Sequence, residues 1–243
     1  MPLVSVIIPY YKKKAFFEKT LRSAINQTLK DYEIIIIYND EDDDEIKFIK
    51  KLTKNEKRIK LFIRREKLGA GLARNFGIEK SKGKYVAFLD ADDVWKKNKL
   101  KLQLKFMKIN KFDVSHTSYV AIKKKKIIIK SKPYQNYKEL LKSCDIGLST
   151  VIIKKKILNK YLSFSNLKTK EDFVLWLKLL KSGYKIGYLN KDLSEWNKVK
   201  NSLSSNSIQK IKDGYKVYNH YMNFNFFKSL YYLLILSLNS LKK

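Results

Sequence analysis

The stretch Lys84–Trp95, KYVAFLDADDVW, decides the fold. Its apolar run, Tyr85–Leu89, ends abruptly in the carboxylates Asp90, Asp92 and Asp93. A short apolar run with polar ends is typical of a buried strand, and open α/β sheets bind ligands beyond the carboxyl ends of such strands. Mg²⁺ and Mn²⁺ take few protein carboxylates and complete their coordination with water and phosphate oxygens. The stretch therefore predicts either a strand that ends in a metal site or an acidic turn that caps the next helix.

Strands and helices alternate through the first half of the chain. Buried strands are predicted at Leu3–Pro9 and Glu33–Tyr38 and a third strand at Ile59–Ile63, and segments with apolar residues at helical spacing separate them. Such alternation is typical of a parallel sheet with helices on both faces. We expect the ligand edge of this sheet to be formed by the loops after Ile8, Tyr38 and Leu89.

The second half has a less regular pattern. Helices are predicted at Leu100–Ile109, Glu171–Ser182 and from Asn206 onward, and strands at Asp113–Ile122, Asp145–Ile153 and Tyr184–Leu189. The basic segment Lys123–Lys132 predicts a hairpin or an edge strand, because lysines protect exposed strand edges from unwanted pairing.

Composition limits the function classes. A chain of 243 residues can bury one large core. Its net charge of +30 would attract nucleic acid, anionic lipid or phosphorylated substrates. The lysines are scattered along the chain, which fits a biased genome equally well and argues against a nucleic-acid partner. The lone Cys144 excludes an internal disulfide and fits a reducing cytoplasm.

The two ends of the chain bear on membrane contact. At the start, the apolar run precedes the charges, which is the reverse of a signal peptide. Near the other end, Ser229–Leu238 is strongly apolar but shorter than the ~20 residues of a spanning helix. Residues 224–243 are therefore expected to touch a membrane peripherally, to pack on the domain, or to pack on a second subunit in a homodimer.

Three polar motifs are candidates for ligand binding. Gly69-Ala-Gly71 is not a dinucleotide-binding fingerprint, because Arg74 occupies the position of the third glycine. The glycines instead favour a tight start to a helix and a close approach of the backbone to a ligand. Arg74 on that helix faces a phosphate or packs outward. Asn39 and Asp40 can accept hydrogen bonds from a base or a ribose. Further along, Glu171 and Asp172 open a helix, either as caps or with a general base.

In chain order, these landmarks resemble the family-2 inverting glycosyltransferases of the GT-A fold. The segments that carry the resemblance are VSVIIPYY (4–11), SAINQTLKDYEIIII (23–37), ND (39–40), GLARNFGIEKSKGKYVAFLDADD (71–93), ED (171–172) and NSLSS (201–205). The resemblance implies a Rossmann-like, mostly parallel sheet flanked by helices, with an irregular acceptor-side half. It also implies one catalytic domain over residues 1–205, with a nucleotide-binding half (1–95) and an acceptor-binding half (96–205), and a C-terminal helical extension (206–243).

The resemblance assigns nucleotide contacts to two strand ends. Pro9, Tyr10 and Tyr11 match the first nucleotide-contacting loop, and Asn39 with Asp40 matches the pair that reads the base, usually uracil. The family commonly has Asp-Asp-Gly-Ser at the second position, so one residue of register stays open and the base and ribose roles of Asn39 and Asp40 can be exchanged.

The resemblance also implies a metal motif and a base. Asp90, Ala91 and Asp92 match the metal and diphosphate motif, with Asp92 the direct ligand of Mg²⁺ or Mn²⁺ and Asp90 closer to the ribose. Asp172 matches the catalytic base. Further contacts to the acceptor or the diphosphate are expected from Glu171, Trp176, Lys198 and Lys200; the two lysines flank Val199, which stands where a family histidine is common.

The implied activity is metal-dependent, inverting transfer of a sugar, from UDP by preference, to a hydroxyl group. The acceptor is expected to be a saccharide or a lipid-linked saccharide, in bacterial surface polysaccharide synthesis at the cytoplasmic membrane face. One alternative is a sugar nucleotidyltransferase, which normally has a glycine-rich phosphate loop where this chain has Pro9-Tyr10-Tyr11. Another is a non-enzymatic basic module that binds nucleic acid or membrane, which explains the charge but not the acids at three strand ends.

Overall fold

The computed structural model describes residues 1–122, 126–134, 136–197 and 206–241. Its strands are β1 (Val4–Tyr10), β2 (Tyr32–Tyr38), β3 (Ile59–Ile63), β4 (Tyr85–Phe88), β5 (Val94–Trp95), β6 (Val114–Ile122), β7 (Lys126–Ile129), β8 (Ile152–Lys154) and β9 (Ile186–Asn197). Its α-helices are α1 (Lys14–Ile25), α2 (Asp43–Thr53), α3 (Ala70–Lys80), α4 (Lys99–Ile109), α5 (Tyr137–Lys142), α6 (Glu171–Lys181), α7 (Ser207–Lys216) and α8 (Phe226–Leu241).

The first four strands form the parallel part of one sheet, in the order β3-β2-β1-β4. The register pairs Tyr10 with Tyr38 and Ile7 with Phe88, so β1, β2 and β4 end at a common edge. The predicted common edge of these three strands is thereby confirmed. Parallel strands joined by helices leave their carboxyl ends, with the polar residues that follow, on one side of the sheet.

Burial on both faces explains why β1, β2 and β4 are mostly apolar. Alternate side chains of β2 point to opposite faces: Ile35 and Ile37 belong to a core with α3 and α6, whereas Ile34 and Ile36 belong to a core with α1, α2 and α4. A strand covered on both faces has no solvent side on which polar residues are favoured.

The second half of the sheet is mixed. Strand β8 lies antiparallel between β4 and β6, β9 runs parallel to β6, and β5 pairs antiparallel with β9. The basic hairpin is confirmed where it is described, since β7 pairs with the end of β6. The predicted strand Asp145–Ile153 is wrong: Leu148–Thr150 is a 3₁₀ turn, and the strand begins only at Ile152.

The C-terminal helices pack on the core of the domain. Val217, Tyr218, Met222 and Leu236 are buried in the same core as the apolar face of α6, and the Tyr218 hydroxyl donates to the Leu141 carbonyl at 2.7 Å. Among the described residues, the structure contains no helix with both the length and the apolar character needed to cross a bilayer.

Candidate functional site

One buried arginine joins the two acidic motifs of the chain. Arg74 of α3 is 4% exposed; its Nη2 donates to Asp90 Oδ1 and its Nη1 to Glu171 Oε1, both at 2.7 Å. Burial on its own lowers the pKa of Arg74, but the two carboxylates outweigh it and raise the pKa. The ion pairs hold the acidic end of β4 next to the start of α6, although 97 positions separate Arg74 from Glu171.

Glycine allows this close approach of α3 to α6. A Cβ atom at Gly71 would lie 2.3 Å from the Ser165 carbonyl oxygen and 3.1 Å from Glu171 Cγ. Gly69, which precedes α3, has φ of +75°, a conformation that L side chains rarely adopt. The expected tight start of this helix is confirmed. The close approach that Gly71 permits is to the Ser165 backbone of the protein itself.

Asp92 is paired with a lysine that follows the β1 loop. Lys13 Nζ lies 2.6 Å from Asp92 Oδ2, and both side chains are mostly buried. Burial raises the pKa of Asp92, the charge of Asp90 raises it further, and the Lys13 ammonium opposes both effects. Thr20 Oγ1 donates to the Ala91 carbonyl at 3.1 Å and fixes the turn between the acids. Two acids at close range therefore favour a cation at this position.

Asp93 anchors the loop after β4 through hydrogen bonds to two distant segments. It is buried and accepts from Ser149 Oγ at 2.5 Å and from the Asn197 backbone N–H at 3.2 Å. Burial raises the pKa of Asp93, and the charge of Asp90 raises it further. The Asp90 backbone N–H donates to Ser149 Oγ at 3.1 Å, so Ser149 ties both acids to the 3₁₀ turn.

Asp172 lies where α6 begins. Its Oδ1 accepts from the Phe173 backbone N–H at 2.7 Å, and it lines a cavity of about 230 Å³. Burial raises the pKa of Asp172 to about 7; the charge of Glu171 adds to the rise and Arg74 opposes it. A general base works best when its pKa is near the operating pH, so Asp172 has the properties of a proton acceptor.

Asn39 and Asp40 are buried at the end of β2. Asn39 Oδ1 accepts from the Leu68 backbone N–H, and Asp40 Oδ1 from the Glu41 backbone N–H, each at 3.0 Å. Asp40 Oδ2 has no hydrogen bond to any described group, and Lys12 Nζ lies 3.8 Å away. Asn39 Oδ1 is therefore hydrogen-bonded within the protein, whereas Asp40 Oδ2 is available to a hydrogen-bond donor of a ligand.

Several predicted contacts are corrected by their burial. Trp176 is fully buried and packs edge-to-face on Phe164, so its side chain is part of the core instead of an acceptor contact. The Tyr10 ring is likewise fully buried between Phe17 and Tyr38, which leaves the half-exposed Tyr11 and the backbone of Pro9 at the edge.

Ion pairing corrects two more of these expectations. Arg74 neither faces a phosphate nor packs outward, because Asp90 and Glu171 hold its guanidinium inside. The same ion pair occupies Glu171 Oε1, so this oxygen bonds within the protein instead of contacting an acceptor. Lys198 and Lys200 lie outside the described residues.

Sequence reasoning did not single out Lys13, Ser149 or Asn197. Ser149 and Asn197 act through contacts of the 3₁₀ turn and of the end of β9 with the β4 loop, which have no local signal. Lys13 could have been found from the sequence. It follows the loop after β1, and because β1 is the parallel neighbour of β4, this loop lies beside the acids that follow β4.

The acids fit a divalent metal that is bound jointly with a diphosphate. No group of three or more His, Cys, Asp or Glu side chains converges as a complete metal site within the described part of the chain. Mg²⁺ needs only one or two carboxylates when substrate phosphates supply other ligands. Asp92 and Asp90 meet that requirement, with the Lys13 ammonium as the present partner of Asp92.

Comparisons with known proteins identify the family. The family model described as glycosyl transferase family 2 matches residues 5–163. TuaG of Bacillus subtilis (strain 168), a glycosyltransferase named for teichuronic acid biosynthesis, is 33% identical over 100% of this chain and 97% of its own. WfgD of Escherichia coli, named as a UDP-Glc:α-D-GlcNAc-diphosphoundecaprenol β-1,3-glucosyltransferase, is 32% identical over 99% and 94%.

A solved structure confirms the GT-A fold. The crystal structure of Staphylococcus aureus TarS 1–349 in complex with UDP-GlcNAc superimposes with a TM-score of 0.74 at 21% identity. The match covers 91% of this chain and 65% of that one. At this identity the similarity establishes the architecture alone.

Proposed function

The chain belongs to glycosyltransferase family 2, and from that membership we propose that it moves a sugar from a UDP-linked donor to a hydroxyl of a lipid-linked saccharide, with inversion. Family membership selects a glycosyltransferase over a nucleotidyltransferase and over a non-enzymatic basic module. The donor, the acceptor and the role of each residue are part of the proposal.

The observation that carries the proposal is the Arg74 bridge. Sugar transfer requires that the acids proposed to bind the metal and the base lie no further apart than one sugar can span. Arg74 pairs with both Asp90 and Glu171, and Glu171 is the neighbour of Asp172. The charges of Arg74 and Asp90 both act on the pKa of Asp172, which supports placing the three in a common site. We accordingly propose residues 1–95 as the nucleotide-binding half and 96–205 as the acceptor-binding half.

The transfer follows from these positions as one displacement. Asp172 accepts the proton of the acceptor hydroxyl while that oxygen bonds to the anomeric carbon from the face opposite the diphosphate. The bond from the anomeric carbon to the diphosphate oxygen breaks, and its electron pair leaves with the nucleotide. Attack and departure on opposite faces invert the configuration, and fixed orientation of both reactants supplies much of the acceleration.

The donor lies, in this proposal, across the edge formed by β1, β2 and β4. The unpaired Asp40 Oδ2 supports its contact with a ring N–H of the base, as expected for uracil, and Tyr11 and Pro9 border the same edge. Asp92, with Asp90, would hold Mg²⁺ or Mn²⁺, which neutralises charge on the departing diphosphate. Because Lys13 holds Asp92 Oδ2, it must release that oxygen for direct ligation.

Helix α8 supports contact with a cytoplasmic membrane face. Its buried side chains pack on the core, while the opposite side exposes Phe227, Leu230, Tyr231, Leu234 and Leu238 by 41 to 80%. An apolar stripe on a highly basic protein matches the anionic surface of a bilayer. The acceptor named for WfgD is a diphosphoundecaprenol-linked sugar, and a lipid-linked acceptor of that class fits a peripheral enzyme in surface glycan synthesis.

Calorimetric titration with UDP, with and without Mn²⁺, tests the donor site. We expect UDP binding to require Mn²⁺ and to be lost in Asp92→Ala. Asp44→Ala removes an exposed acid at the start of α2 and serves as the matched control, with unchanged binding. UDP affinity that is the same in Asp92→Ala as in the wild type would contradict the metal assignment.

A further inference from the structure

The cavity beside Asp172 contains two lysines without a carboxylate partner. Its described lining comes from the segment after α5, the start of α6, and helices α7 and α8, with none from β1 to β4. Lys170 and Lys210 both line it. Neither ammonium group forms an ion pair or a hydrogen bond with any described residue, although Asp172 lines the same cavity and its charge acts on Lys170. Two ammonium groups that face one cavity repel each other, and an anion between them relieves that repulsion.

The fold holds Lys170 in place. Its backbone is left-handed, with φ of 63°, and the preceding Thr169 donates its N–H and hydroxyl to Asp213 of α7 at 2.8 and 2.9 Å. The Lys170 side chain crosses Gly214, where an added Cβ would lie 3.5 Å from Lys170 Cε. Its ammonium also lies 5.9 Å from the Phe173 ring centroid. The charge is thus directed to the cavity before any ligand binds.

Electrostatics agree with this placement. Burial lowers the pKa of Lys170, and the Lys210 ammonium adds to that effect, while the charges of Cys144, Asp172 and Asp213 oppose it. The two ammonium groups therefore lie close enough to act on each other. A bound anion would favour the charged form of Lys170. Phosphate groups suit such a pair because they accept several charge-assisted hydrogen bonds at once.

The cavity adjoins the apolar stripe of α8. Leu236 and Ser240 line the cavity, four residues apart on one face, and Leu234 and Leu238 are exposed on nearly the opposite face of the same helix. A helix with its side chains is about 10–12 Å across. The polar head group of a lipid in a bilayer that contacts the exposed face of α8 is therefore only about one helix diameter from the cavity that Asp172 lines.

We propose that this cavity binds the phosphate or diphosphate of the lipid-linked acceptor through Lys170 and Lys210, and so presents the acceptor sugar to Asp172. The inference rests on the proposed function, because it assigns the acceptor side of that site. It assigns the anion to the acceptor and not to the donor, since the donor edge contributes none of the described lining.

Farnesyl diphosphate, a soluble polyprenyl diphosphate, is the probe. Calorimetric titration without divalent metal compares the wild type with the double variant Lys170→Gln, Lys210→Gln. We expect at least tenfold weaker binding in the double variant and competition by inorganic pyrophosphate. Lys212→Gln is the matched control: residue 212 lies on α7 two positions from Lys210, so it points to the other side of the helix, and it is exposed. Its affinity should equal that of the wild type.

Three results would overturn the inference: equal affinity in the double variant, an equal loss in Lys212→Gln, or equally tight binding of farnesol. The second would indicate general attraction by the basic surface, and the third an apolar site. UDP titrations with Mn²⁺ on the same variants separate this test from that of the donor site, because we expect them to be unchanged. If the wild type does not bind UDP, the proposed donor site is refuted, but the dependence of farnesyl diphosphate binding on Lys170 and Lys210 can still be measured.

Discussion

Replacing the proposed catalytic base should inactivate the protein and at the same time stabilise it. The change is Asp172→Asn, which keeps the shape of the side chain and an oxygen for the Phe173 N–H. Loss of a general base typically lowers the rate by about 10²–10⁴-fold. A merely structural aspartate at a helix start would show the opposite sign in stability, because N-terminal acids stabilise helices.

The magnitude follows from the pKa of Asp172, which burial raises from 3.8 to about 7. At about 1.4 kcal/mol for each pKa unit, this corresponds to ~4 kcal/mol against the ionised form in the folded protein. The carboxyl group lines an open cavity, so solvent reduces the cost, and a partly lost helix-dipole interaction offsets more of it. We therefore expect Asp172→Asn to stabilise the protein by about 1–2 kcal/mol at pH 8.

The sign of the pH dependence is fixed by linkage. Above pH 7 the carboxyl is ionised in both states, and the folded protein bears the whole cost. Between pH 7 and 4 the folded protein retains a proton that the unfolded chain has lost, so the cost shrinks as the pH falls, and below pH 4 it vanishes. The stabilisation by Asp172→Asn should accordingly be larger at pH 8 than at pH 5.

Urea unfolding at pH 5, 6, 7 and 8 measures this difference, followed by tryptophan fluorescence. Asp192→Asn is the control of opposite sign, because the hydrogen bond from Lys96 lowers the pKa of Asp192, and removing it should cost a little stability at pH 8. A destabilised Asp172→Asn at pH 8, or a gain that does not change from pH 5 to pH 8, would refute the assignment of a buried, high-pKa base.

Three further predictions test the rest of the site. Arg74→Met should cost about 3–5 kcal/mol in urea unfolding, because it leaves two partly buried carboxylates without their partner, whereas Arg22→Ala, which breaks an exposed pair with Glu18, should cost less than about 1 kcal/mol. Lys13→Met should tighten Mn²⁺ binding, measured by electron paramagnetic resonance without nucleotide, because the ammonium that competes for Asp92 is gone. Weaker Mn²⁺ binding in this variant would contradict that competition and show that Lys13 helps to form the metal site. Leu234→Glu should abolish flotation with anionic vesicles, and Ile109→Glu, an equally exposed apolar position on α4, should leave flotation unchanged.

Local pattern was sufficient for the parallel half of the fold. The strands at Val4–Tyr10, Tyr32–Tyr38 and Ile59–Ile63 lie where the apolar runs predict them. The first two are covered on both faces, which favours apolar residues along most of their length. Because parallel strands share one carboxyl end, the acids after β4 could also be placed beside the ends of β1 and β2. The order of the landmarks along the chain was enough to identify the family.

The second half was harder to predict because its strands are short and paired over long distances. Val94–Trp95 forms a strand only because β9 lies beside it, and Leu148–Thr150 turns where its apolar neighbours suggested extension. Two or three residues carry too little periodicity to define an element, so tertiary pairing decides.

The division between sequence and tertiary structure is clearest at single residues. Sequence alone determined the fold class, the edge where the acids gather and the candidacy of Asp92 and Asp172, because residue type and position along a strand or helix suffice for these. Only the tertiary structure decided that Arg74 bonds two carboxylates, that Trp176 is a core residue, and that Lys170 and Lys210 face one cavity. Burial and pairing depend on which distant segments meet in space, and that is a property of the packed chain as a whole.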